Sequence, residues 1–385
     1  MLSIINAIPF IDGKFQKKCA INIDDNIIVS IGEPIYKNTV DAKENYVVAG
    51  YIDTHTHGGF GKDCMETDEQ AFDTICKYHL TFGDTAFCPT LMTANLKDIQ
   101  KAIDNVRKNK NNPNCNVLGI HLEGPFLSQG ASGAHKKELL LDPTDDNLKI
   151  VFDNKDIVSR VTIAPNKDCA SQFTKKAVNT GIQVSLGHDE SIDDEIYACV
   201  DNGASSVTHM YNCTSRPSRR DNPKKHLGLT EVGLIEDRLM CEVIADDRHV
   251  PNKLFDLIYK QKGANNICLV SDSLSISGQG EGEYYIGSGA AKQKIENFDG
   301  VAVIKSLNTY AGSVTPVSKM VVNLAKHGIK KEDVLTMATI NPAKLANVNN
   351  MGNIKVGYLG DLNILNENLE LLTTVFKEKI YPHQV

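Results

Sequence analysis

From Val47 to Asp272, short apolar and β-branched runs alternate with longer amphipathic segments. The strand-like runs are YVVAGYID, DTAFCPTLM, CNVLGIHLE, SRVTIAP, IQVSLGH, SSVTHM, MCEVIA and NICLVSD. Between most of them apolar positions recur at helical spacing, as in TDEQAFDTICKYHLTFG and NLKDIQKAIDNVRKN. Strands that are nearly continuous in hydrophobicity and alternate with helices predict a parallel sheet covered on its outer face. Eight such units predict an α/β fold closed into a TIM-like (β/α)8 barrel rather than an open sheet.

The two chain ends follow a different pattern. LSIINAIPFIDGKFQKKCAINIDDNIIVSIGE reads as short strands joined by Asp-Gly and Asp-Asp turns, and GNIKVGYLGDLNILNENLELLTTVFKEKIY reads the same way. Termini often lie close together, so residues 1–48 and 350–385 are expected to pair into one small β-sandwich domain beside a barrel of residues 49–349. A further strand-rich insertion is expected between Ser273 and Ser313.

Composition narrows the function classes. The 385 residues are 41% hydrophobic and 23% charged, with a formal net charge of -7, which argues against a nucleic-acid or anionic-membrane surface as the main business. Ten cysteines without a Cys-x-x-Cys spacing suit buried, reduced thiols better than a disulfide framework or a zinc ribbon. MLSIINAIPFIDGKF lacks a basic n-region and a small-residue cleavage site. No run approaches the roughly 20 apolar residues of a spanning helix, and a cytoplasmic location is expected.

The chemistry concentrates at strand ends. In VVAGYIDTHTHGG, His55 and His57 are two apart and face the same side of a strand. Taken alone, they could be a metal pair or two surface histidines. Four further strand-like runs, however, end in GIHLEGPF (Glu123), SLGHDE (His188), VTHMYN (His209) and VSDS (Asp272). In a (β/α)8 barrel these ends meet on one face, and histidine with carboxylate is a donor set for zinc, iron or related ions.

The motifs GYIDTHTHG, GIHLEGPFL, SLGHD, VTHMYN, DRHVP, LVSDS and TYAGS, with the tail ATINPAKLAN and MGNIKVGYLGDLNIL, resemble in order the N-acetylglucosamine-6-phosphate deacetylase family of the amidohydrolase superfamily. The resemblance covers essentially the whole chain. It implies a metal site of Glu123, His188 and His209, with His55 and His57 as a second position, so one or two divalent ions, zinc or iron. It implies Asp272 as the acid/base: the ion activates a water toward neutral pH, and Asp272 takes its proton and returns it to the leaving nitrogen. His135 in SGAH would help hold the oxyanion. The implied reaction is metal-dependent hydrolysis of an N-acetylhexosamine 6-phosphate to acetate and the amino sugar phosphate. The glucosamine substrate leads, with the galactosamine epimer or another acylated amine as alternatives.

RPSRRDNPKKH, Arg216 to His226, is the one concentrated basic stretch. It is either a solvated face or a clamp for the substrate phosphate. The resemblance assigns Arg220 and His249 to the phosphate, Asn212 to the ligand and Ala311–Ser313 to the pocket wall. Cys213 lies beside them, and a homodimer sharing the site is implied. The chain departs from the family pattern at Asn212-Cys213-Thr214, within the basic stretch, and at Asp246-Asp247-Arg248. Asp53 is a candidate to orient a ligand histidine, and Lys167 a candidate carbamylated bridge in place of Glu123. His79, His121 and His327 read as structural. A non-catalytic sugar-phosphate sensor would be expected to lose the acid/base or metal ligands, and this chain keeps them.

Overall fold

The computed structural model describes residues 1–219 and 223–383. Eight strands form the barrel wall: β1 (Tyr51–Thr56), β2 (Asp84–Met92), β3 (Ile120–Glu123), β4 (Val158–Ile163), β5 (Gln183–Leu186), β6 (Ser206–Val207), β7 (Met240–Val243) and β8 (Ile267–Leu269). Each pairs in parallel with the next. Closure comes just past β8, where Thr56 bridges Ser273. There the Asp272 N–H donates to the His55 carbonyl at 2.9 Å and the His57 N–H to the Ser273 carbonyl at 2.8 Å. The unbroken hydrophobicity of these runs has its cause in burial on both faces: every position of β2 is buried.

A helix follows each strand. Two show how local sequence sets them. Asp68 caps α1 (Glu69–Thr81) by accepting from the Gln70 N–H, and Asn95 caps α2 (Leu96–Asn109) by accepting from the Asp98 N–H at 3.0 Å. Ile99, Ala102, Ile103 and Val106 of α2 lie at i, i+3, i+4 and i+7 and are all buried, the stripe that seats a helix on a sheet. This packing belongs to one large core that runs through the barrel and its helices.

The chain ends form one nine-stranded sheet. Its centre pairs Tyr46–Ala49 antiparallel with Leu362–Leu365, Val47 opposite Ile364, and a separate apolar cluster including Ile4, Ile21, Val47 and Ile364 packs it. Because Tyr46–Ala49 runs through Gly50 directly into β1, this sheet anchors the strand that carries His55. The expected insertion is a four-stranded antiparallel sheet, Gly282–Ile286, Gln293–Phe298, Val301–Ile304 and Thr309–Gly312, folded over the mouth of the barrel.

The cysteines depart in part from the sequence expectation. Cys76 of α1 and Cys115 face each other as a disulfide with Cα atoms 5.3 Å apart, while eight others are free thiols. Their spacing of 39 residues carries no signature. No helix of the described residues is long and apolar enough to cross a membrane.

Candidate metal centre and active site

The ends of β1, β3, β5, β6 and β8 bring His55, His57, Glu123, His188, His209 and Asp272 to one end of the barrel, all buried or nearly so. Three of them depend on unusual backbone. His188, His209 and Asp272 sit at φ of 49°, 28° and 46°, a region that costs a non-glycine residue of order 1–3 kcal/mol and collects at functional sites. The strained turns point these side chains inward just as each strand ends. Gly58 and Gly59, next to His57, are required by close backbone approach. A Cβ on Gly58 would lie 2.1 Å from the Lys62 carbonyl, and one on Gly59 would lie 2.2 Å from the Tyr78 ring. The backbone passes here too closely for any side chain.

Glu123 is the hub. Its Oε1 lies 2.9 Å from His209 Nε2, 3.2 Å from His188 Nε2 and 3.4 Å from His55 Nε2. Its Oε2 lies 3.0 Å from His57 Nε2 and 3.3 Å from His135 Nε2. Burial opposes its charge, yet His55 and the hydrogen bonds of His135, His188 and His209 hold the carboxyl well below the usual range.

The hydrogen bonds behind the rings decide what these atoms can hold. His188 Nδ1 donates to the Ala131 carbonyl at 2.9 Å, and His209 Nδ1 to the Asn212 carbonyl at 3.0 Å. A carbonyl only accepts, so each neutral ring carries its proton on Nδ1 and presents a lone pair at Nε2. Those two lone pairs stand 3.0 Å apart and both face Glu123 Oε1. Three electron-rich atoms crowded together repel one another unless a cation lies among them, and backbone carbonyls behind ligand imidazoles are the usual support of a metal site. His55, His57 and Asp272 form a second such group, with Asp272 Oδ1 3.5 Å and 3.3 Å from the two imidazole Nε2 atoms. The residues therefore fit one divalent ion at Glu123, His188 and His209 and a second at His55, His57 and Asp272, with Glu123 reaching both.

His135 differs in kind. The Thr93 N–H donates to its Nδ1 at 3.3 Å, so the neutral ring keeps its proton on Nε2, facing the site. Burial pulls its pKa down to about 4, which leaves it a neutral donor at pH 7. His249 donates from Nδ1 to Asp246 at 2.7 Å. Its buried Nε2 has no partner among the described residues. His249, Asn212, Cys213, Tyr310, Ala311 and Gly312 line a cavity of about 200 Å³ together with Glu123 and Asp272. Ile286 of the inserted sheet lines it too, which makes that sheet part of the wall.

Other candidates lie elsewhere. Asp53 does not touch a ligand ring: its carboxylate accepts the His55 N–H at 3.2 Å and the Ser271 N–H at 3.1 Å, tying the ends of β1 and β8 together. Lys167 pairs with Asp142 at 2.8 Å and does not line the cavity. His79 bonds Asp84 and Thr56, His121 bonds Thr90 and Thr162, and His327 bonds Asp256, so all three have structural partners. In the basic stretch His226 pairs with Asp193 at 2.7 Å, Arg216 and Arg219 do not line the cavity, and Arg220 lies outside the described residues.

Two buried charges went unread in the sequence. Arg160 on β4 is 2% exposed and Glu242 on β7 is 0% exposed, and they form an ion pair inside the barrel. Glu242 Oε2 lies 3.3 Å from His55 Nδ1. The signal was present in SRVTIAP and MCEVIA: a charged residue inside a two-face-buried strand is almost never there unless paired.

A barrel of this order carrying two histidine–carboxylate groups at its strand ends is the architecture of a metal-dependent hydrolase. The amidohydrolase family model matches residues 46–380, and the chain belongs to that family. It is 27% identical over 360 residues to N-acetylglucosamine-6-phosphate deacetylase of Lysinibacillus sphaericus, covering 91% of this chain and 90% of the relative. It is equally 27% identical over 356 residues to N-acetylgalactosamine-6-phosphate deacetylase of Escherichia coli O157:H7, covering 91% of each. Among solved structures it superposes, with a TM-score of 0.87, 26% identity and 98% of both chains covered, on an aspartate-to-alanine mutant of N-acetyl-D-glucosamine-6-phosphate deacetylase from Mycobacterium smegmatis in complex with N-acetyl-D-glucosamine-6-phosphate.

Proposed function

We propose that this chain hydrolyses the N-acetyl group of an N-acetylhexosamine 6-phosphate, N-acetylglucosamine 6-phosphate first, releasing acetate and the amino sugar phosphate. The observation that carries the reading is Glu123 encircled by five histidines beside a buried Asp272 in one cavity, in a member of a family of amide hydrolases. Glu123, His188 and His209 would hold a divalent ion, which would supply Lewis acidity and a water of pKa near 7; zinc or iron suits the donor set.

The protein's own groups do the rest. Asp272 accepts the proton of the attacking water and passes it to the departing nitrogen. The Nε2–H of His135 donates to the carbonyl oxygen as negative charge grows there. Asn212 fixes the His209 ring through its backbone carbonyl and lines the cavity, its side-chain amide donating to the Met210 carbonyl at 3.2 Å. His249 Nε2, buried without a partner among the described residues, is left for the substrate phosphate, with Arg220 as its companion from the basic stretch. A homodimer in which one subunit completes the other's phosphate site fits a cavity lining that includes neither Arg216 nor Arg219. The large apolar side chains exposed on the inserted sheet, Tyr285, Phe298 and Tyr310, are suited to a neighbouring copy. Sedimentation should then give twice the 42.2 kDa chain mass; a monomer at micromolar concentration would count against it.

The test is amine release from N-acetylglucosamine, its 6-phosphate and N-acetylgalactosamine 6-phosphate. A 6-phosphate preference of about 100-fold in kcat/KM, or about 2.7 kcal/mol, is expected. Equal rates with and without phosphate would remove the phosphate clamp from the reading, and a preference for the galactosamine ester would reassign the sugar. Glu123→Ala is expected to release bound metal, whereas Lys167→Ala should leave metal content unchanged. Retention of metal by Glu123→Ala would rule out the ligand set.

A further inference from the structure

The two halves of the metal centre are supported in different ways. Behind His188 and His209 stand neutral backbone carbonyls. Behind His55 stands a carboxylate, Glu242, on the facing strand β7. Glu242 is itself held by Arg160 on β4. Arg160 extends through NH2 to the Ser206 hydroxyl at 3.0 Å, and that hydroxyl donates to Ser185 at 2.9 Å. From there the chain of contacts runs through Thr208 and Thr162 to His121 and Thr90, which accepts the Thr56 N–H at 3.0 Å. A belt of polar contacts thus circles the barrel beneath the metal centre, leaving His55 at one end and returning to the residue after it.

Within this belt the Arg160–Glu242 pair is the only pair of opposite charges among the described residues. A carboxylate engaged by arginine only accepts, so His55 must carry its proton on Nδ1. Its Nε2 has no hydrogen-bond partner among the described residues and points a lone pair at Glu123 and Asp272, 3.4 Å and 3.5 Å away. That orientation is unfavourable toward two carboxylates and favourable toward a cation between them. A charged partner also makes the ring a stronger donor than a carbonyl does.

We propose that the buried Arg160–Glu242 pair is the positioning device for the second ion: Glu242, locked by Arg160, fixes His55 in the tautomer and orientation that bind a divalent cation with His57 and Asp272. This rests on the two-ion reading of the site. The pair would act first on that ion, because among the described residues its side chains bond to His55 and Ser206 and not to His188 or His209.

Glu242→Gln isolates the effect. The glutamine oxygen can still accept from Arg160, which turns its NH2 toward His55 Nδ1. A donor there forces the neutral imidazole proton onto Nε2 and removes the ligand lone pair. Wild-type and variant chains would be stripped with chelator and titrated with Co²⁺, following visible absorption and bound metal per chain. The expected result is two equivalents on the wild type. The variant should take the first with unchanged affinity and the second about 10- to 100-fold more weakly. Two unchanged binding steps in the variant, or equal weakening of both, would overturn the proposal. A wild type that saturates at one equivalent would instead overturn the two-ion reading itself, before any variant is compared. If Glu242→Gln does not fold, Arg160→Met/Glu242→Leu removes both charges together and should lose the second step while keeping the first. Two intact steps there would equally refute the assignment.

Discussion

Asp272→Asn should fold, keep the ion at Glu123, His188 and His209 and lose about 10²- to 10⁴-fold in kcat, the usual worth of a general acid–base group. Fold should survive because Asp272 sits at φ 46°, and asparagine is among the few residues that adopt this region readily. The amide also keeps an oxygen where Asp272 Oδ1 meets His57 at 3.3 Å. What it cannot do is accept a proton from water and return it. The wild-type carboxyl is poised for that first step: burial opposes its charge, but His55 and His57 hold it below its ordinary value. Circular dichroism, bound metal and steady-state rates on the same preparation check all three parts. An Asn variant with turnover near wild type would dismiss Asp272 as the acid/base.

The largest stability effect is expected at a residue that touches no substrate. Arg160→Met should destabilise the chain by about 3–5 kcal/mol, because it leaves Glu242 charged and fully buried with no cation beside it, only the neutral His55 N–H. Removing both members, as in Arg160→Met/Glu242→Leu, should recover most of that loss, since apolar replacements of a buried pair are often neutral or better. Denaturant unfolding of the single and double variants is the check. A single variant as stable as the double one would mean that the pair is not a buried ion pair in solution. The contrast matters for the metal centre. If stability returns in the double variant while the second Co²⁺ step does not, the charges are kept in the barrel for the metal rather than for the fold.

The architecture was legible because it follows from local rules. Runs such as DTAFCPTLM are apolar at nearly every position because β2 is buried on both faces, and NLKDIQKAIDNVRKN shows its buried stripe at helical spacing. A chain of eight such alternations has few ways to pack other than a barrel. Glu123, His188, His209 and Asp272 could also be picked out, since each ends an apolar run and strand ends share one face. The inserted sheet was visible from the alternation in EYYIGSGAAKQKIENFDGVAVIKS, though not its place on the cavity wall.

What the sequence determined by itself, then, is the barrel, its end-to-end sheet and the identity of the groups at its mouth, because periodicity and strand ends are properties of neighbouring residues. Only the tertiary structure decided which atoms of those groups do what. His188 and His209 present Nε2 because carbonyls of Ala131 and Asn212 take their Nδ1 protons. His135 presents an N–H because a backbone donor from Thr93 occupies its Nδ1. His55 is set by a carboxylate 187 residues away. Apart from the Asn212 carbonyl, three residues from His209, those partners come from distant segments that meet only when the barrel closes, and the protonation of an imidazole is dictated by whichever group stands behind it.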